Sequence, residues 1–100
     1  MAAKNEDVSV TTSWTALTNA ITTSTTLTII NKGKADVILM ATAGSAPSSS
    51  SEDGIPLEKN SPGIVGASLA ILFPGVTSAT KLFARTVTTP DTKVFVSHEA

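Results

Sequence analysis

The chain has no cysteine and no tyrosine, one tryptophan, one histidine and a single arginine, Arg85. Without thiols there is no disulfide framework, no thiolate nucleophile and no Cys-ligated zinc, so nothing here calls for an oxidising compartment. Seven basic against eight acidic residues leave a formal net charge of -1 with no block of either sign. Nucleic-acid binding relies on clustered Lys and Arg and on aromatic stacking platforms, and neither is present, so no nucleic acid is expected as a partner. The longest apolar stretch, Ile64 to Val76, is broken by Gly66, Ser68, Pro74 and Gly75. It falls short of the roughly 20 residues of a membrane helix. Lys4, Glu6 and Asp7 stand where a secretory signal needs an apolar run, so the expectation is no membrane and synthesis in the cytosol. Charged residues make up only 15% of the chain, fewer than a small free monomer usually carries, which implies that part of the surface is covered in use.

What is abundant is threonine and serine, interleaved with Val, Ile and Leu. Threonine is β-branched, packs well on a pleat and keeps a solvated strand face polar without charge. One hundred residues make one domain with a feasible core. The expected fold class is all-β, a single antiparallel β-sandwich, jelly-roll-like, or a small barrel of about six to eight short strands, from strand signals at regular spacing. Residues 1–7 read as a flexible N-terminal arm and 8–98 as the β-sandwich domain.

The strongest local signal is Thr25 to Thr42, TTLTIINKGKADVILMAT, two β-branched runs joined by Asn31-Lys32-Gly33-Lys34. It predicts a hairpin with Gly33 at positive φ and with Leu27, Ile29, Val37 and Leu39 on one face. The second run is apolar on both faces, Val37, Leu39 and Ala41 against Ile38 and Met40, and so belongs to a central strand or a subunit contact. Trp14 and Leu17 are expected to be core anchors at a helical turn or bend. Ala43 to Gly54 reads as a mobile surface loop, and Asn60 to Gly63 and Thr88 to Asp91 as turns. Ile64 to Leu72 fits either a helical stripe of Val65, Leu69 and Leu72 or a strand face of Val65, Ala67, Leu69 and Ile71, and its bounding Pro-Gly pairs favour a strand; Thr80 to Val87 reads as a strand, with Lys93 to Ser97 closing the domain.

Chemistry is sparse. His98, near the C-terminus, reads as a solvated tail residue, because a nucleophile-histidine-acid device needs an imidazole held in a preformed pocket. Glu52 and Asp53 could join a calcium site, but the spacing of about six to eight organised oxygens is missing. Gly63, Gly66 and Gly75 form neither a dinucleotide fingerprint nor a phosphate loop. No catalytic, cofactor-binding or metal residue is therefore assigned, and no cofactor is expected. Trp14 as a sugar-stacking platform is the alternative to its core placement. In Leu82-Phe83-Ala84-Arg85, alternation sends Phe83 and Arg85 the same way, and aromatics and Arg are enriched at interfaces. Phe83, Arg85, Ile38 and Met40 are the candidate interface residues; the alternative for Phe83 and Arg85 is an edge strand with Arg85 in a surface pair.

The succession of Trp14 and Leu17, LTIINKGKADVIL, the Pro47 loop leading to Gly54-Ile55-Pro56-Leu57, then KLFAR and KVFVS resembles small tailed-bacteriophage virion proteins over Val8 to Ser97. Phe83 stands where such families often place Trp or Tyr. The resemblance implies a non-enzymatic capsid decoration or cementing subunit, a homo-oligomer bound to the major capsid protein or another virion protein. Its place would be the virion, after synthesis in host cytoplasm. The alternative it implies is a tail- or fibre-associated module recognising host surface carbohydrate or protein.

Overall fold

A computed structural model describes residues 4–18, 21–33, 35–48, 53–59, 63–86 and 91–99. The elements run β1 (Lys4–Val10), β2 (Thr15–Ala16), β3 (Thr26–Asn31), β4 (Val37–Thr42), β5 (Ile55–Leu57), β6 (Ile64–Ser68), a single helical turn α1 (Leu69–Leu72), β7 (Lys81–Thr86) and β8 (Thr92–His98). They build two four-stranded sheets, ordered β1-β8-β3-β6 and β2-β7-β4-β5. Every pairing is antiparallel. The chain changes sheet at each connection except β4 to β5, and this order is that of an eight-stranded jelly roll. The all-β sandwich expected from composition is therefore the fold observed.

Alternation makes the core. Leu27 and Ile29 of β3 and Val94 and Val96 of β8 face Val37 and Leu39 of β4 and Leu82 and Ala84 of β7, and none is more than 1% exposed. Removing each Leu, Ile or Val from water contributes about 1.5 to 3 kcal/mol, so the paired inner faces hold the two sheets together.

The expected hairpin is not formed. β3 and β4 lie in different sheets, β3 between β8 and β6, β4 between β7 and β5. Leu27, Ile29, Val37 and Leu39 do share the core, but they reach it from opposite sides. Asn31 shows how the chain turns the corner: it is fully buried, and its Nδ2 donates to Ala35 O at 2.7 Å and Leu57 O at 3.1 Å. Its Oδ1 accepts from Gly33 N at 3.1 Å and Thr92 Oγ1 at 3.0 Å. One amide thus supplies the backbone partners that a two-stranded turn would otherwise provide. Gly33 does not take a positive φ. It is required for space, since a Cβ there would collide with the Thr92 side chain.

Three further expectations change. β1 starts at Lys4, inside the expected arm, because Lys4 to Asp7 pair with His98 to Phe95 of β8; their exposed polar side chains suit an edge strand. Ile64 to Leu72 is a strand only to Ser68. Gly66 at φ 71 accompanies a register shift against β3, and Ser68, whose Oγ accepts from Ile71 N at 3.4 Å, caps the helical turn that follows. His98 is in β8, only 5% exposed, because β1 and β3 pair with it from either side. β4, by contrast, is an inner strand as its two apolar faces require. Of the expected turns, residues 60–62 and 88–90 lie outside the described residues.

Candidate functional site

β4 and β7 pair so that Ile38 lies opposite Arg85 and Met40 opposite Phe83. Their neighbours Leu39, Ala41, Leu82 and Ala84 belong to the core, so these four side chains share the outer face of the second sheet. The candidate interface residues are thus brought together, although they come from runs more than forty positions apart. Pro56 of β5 continues the face beside Ile38, and Ala16 of β2 lies beside Phe83.

Trp14 completes this face instead of anchoring the core. It precedes β2, is half-buried and has no place in the inter-sheet cluster, whereas Leu17 is fully buried there. The chain bends before β2 and then runs as strand, so Trp14 and Leu17 leave on opposite sides. The Arg85 guanidinium carbon lies 5.9 Å from the centroid of the Trp14 ring, within cation–π range. Trp14 Nε1 donates to Ser48 O at 2.9 Å, tying the β4–β5 loop over the sheet. At the loop's far end Gly54, φ 140, passes so close that a Cβ would sit 2.7 Å from Ile38 Cγ2. These contacts leave Ile38 at 9%, Phe83 at 7% and Arg85 at 8% exposure. Met40 stays half-buried, and Pro56 and Ala16 are exposed. Ile38, Phe83 and Arg85 are therefore a supporting layer, and Trp14, Met40, Pro56 and Ala16 are what the face presents. The serine run and Glu52 fall within 49–52, outside the described residues; Asp53 is exposed.

His98 is not part of this face. Its Nδ1 lies 2.7 Å from Glu99 O, and Nε2 is buried with no hydrogen-bond partner among the described residues. Among the described residues no cluster of three or more His, Asp or Glu side chains could hold a metal ion. A surface ion pair, Lys32 Nζ to Asp7 Oδ2 at 3.0 Å, is on the other sheet, with side chains 52% and 34% exposed. Such a surface pair contributes at most about 1 kcal/mol. Among the described residues no helix is long and apolar enough to cross a membrane.

Comparison with protein-family models, with curated proteins and with solved structures finds no significant match to this chain.

Proposed function

We propose that this protein is a structural subunit of a phage virion, a capsid decoration or cementing protein that acts by burying surface and not by turnover. The observation that carries the reading is the outer face of the second sheet, where Trp14, stacked on Arg85 and bonded to Ser48, stands beside Met40 and Pro56 over the buried Ile38 and Phe83. Trp and Arg dominate binding energy where they are held rigidly, and here the partner groups are ordered before any contact is made. The jelly-roll order agrees with this reading, since viral capsid domains are among the proteins built that way. Fold alone does not assign function, so the weight rests on the face.

Purified protein added to heads that lack it should co-sediment with them. Ala16→Asp, on an exposed position of the face beside Phe83, should abolish co-sedimentation while leaving the melting temperature nearly unchanged. Protein that remains in the supernatant over a full concentration series sinks the proposal.

A second reading, a tail or fibre module for host carbohydrate, is favoured by one observation, the displacement of Trp14 from the core to the outer face. Lectin domains also use jelly rolls. Saturable quenching of Trp14 fluorescence by a soluble glycan, with no binding to heads, would select it.

A further inference from the structure

Two open sheets leave four strand edges: β1 and β6 in the first, β2 and β5 in the second. Three of them are blunted. β2 is two residues long, β5 is three with Pro56 at its middle, and β6 is bent by the register shift at Gly66. β1 has no such device, since its seven residues contain neither Gly nor Pro and pair with β8 from Lys4 to Val10 in one unbroken register. Among the described residues no backbone hydrogen bond reaches β1 from its other side, and Thr86 N donates to Thr11 O only past its end. Asn5, Glu6, Asp7 and Ser9 are exposed, with Lys4 and Val8 half-buried. β1 thus offers a row of backbone donors and acceptors to which a further strand can add.

The charges on β1 decide which strand fits. Alternation puts Lys4 and Glu6 on one side of it and Asn5 and Asp7 on the other. In an antiparallel pair, residues directly opposite share a side and lie close, so unlike charges there attract and like charges repel. A copy of β1 related by a two-fold axis sets each residue before the axial position against the one equally far after it. With Lys4, Glu6 or Asp7 on the axis, a charge meets its own sign. With Val8, Ser9 or Val10 there, no opposite charges meet. With Asn5 on the axis, Lys4 of each copy faces Glu6 of the other, and the two axial amides can bond to each other. Asp7 keeps its own cation, Lys32 Nζ at 3.0 Å, and positions 1–3, which fall opposite Asp7 to Ser9, carry no charged side chain. The sequence of β1 is therefore complementary to itself in one register.

We propose that two copies of this chain join edge to edge through β1, antiparallel about a two-fold axis at Asn5, so that their first sheets continue as one of eight strands. The joint is independent of the face offered to the virion.

Sedimentation velocity on the full chain over a concentration series tests it, with a shift from the monomer to twice its mass as the expected result. Lys4→Glu and Glu6→Lys should each weaken the dimer about ten-fold or more, because each puts like charges opposite one another twice. The double variant Lys4→Glu/Glu6→Lys should pair again. Lys4 is half-buried opposite His98, so thermal melts check each fold, and the exposed Glu6 carries the test if Lys4→Glu melts early. The chain has no cysteine, so a single one reports the register. Asn5→Cys should cross-link two chains on air oxidation, since facing Cα atoms about 4.5 to 5.5 Å apart suit a disulfide, and Asp7→Cys should not. A wild type that is monomeric throughout, a double variant that does not recover, or Asp7→Cys cross-linking as readily as Asn5→Cys overturns the proposal. Loss of head binding with the dimer intact bears only on the virion reading.

Discussion

Leu17 and Trp14 are three positions apart in the chain and on opposite sides of the second sheet. Leu17 lies in the inter-sheet core at full burial, so Leu17→Ala should cost about 3 kcal/mol in urea unfolding, lost transfer energy plus a cavity. Trp14→Ala removes a cation–π contact and one hydrogen bond at a half-buried position, and should cost only about 1 to 2 kcal/mol. The reverse order would return Trp14 to the core. Asn31 is the residue with the most to lose. Asn31→Ala leaves Ala35 O, Leu57 O, Gly33 N and Thr92 Oγ1 without their partner, and about 2 to 4 kcal/mol should go with them. Equilibrium denaturation with an unchanged midpoint would mean that water replaces the amide without penalty.

At the scale of elements, Gly33, on the crossing from β3 to β4, and Gly66, inside β6, should fail differently. Gly33→Ala meets the Thr92 side chain and should cost about 1 to 3 kcal/mol by overpacking. Gly66→Ala finds open space and pays only for its positive φ, about 1 kcal/mol. Equal losses in thermal melts of the two variants would contradict this contrast. Such crossings explain what could be read from the residues beforehand. Period two placed Leu27, Ile29, Val37 and Leu39 inward, and alternation put Phe83 with Arg85 and Ile38 with Met40. Periodicity carries the face of a strand but not its neighbour, so the polar connector at Asn31 looked like a hairpin when it is a crossing. The pairing of Ile38 with Arg85 and of His98 with Lys4 and Leu27 is likewise set by distant segments, which is why a histidine near the chain end is buried and why Trp14 lies outside the core. Gly66 and Ser68 were visible as residues, but their effect, a bulge followed by a helical turn, depends on how β6 meets β3.

For the whole molecule, the pairings are dominated by segments far apart in sequence, and β1 meets β8 across nearly the full chain. Loop closure must precede most native contacts, so refolding from urea should take milliseconds to seconds, well behind helical proteins of the same size. Trp14 is the sole tryptophan and reports closure of the second sheet in stopped-flow fluorescence. A microsecond phase carrying the whole amplitude would argue against assembly of both sheets in one step.

The antiparallel register of Lys4 with His98 also sets how the domain answers to force. A load applied to the two ends acts at the same edge of the same strand pair, so the hydrogen bonds of β1 and β8 break one after another, like a zip, and never share the strain. A load spread over the outer face of the second sheet meets all eight strands braced through one core. The fold is weak to tugging and strong to pressing.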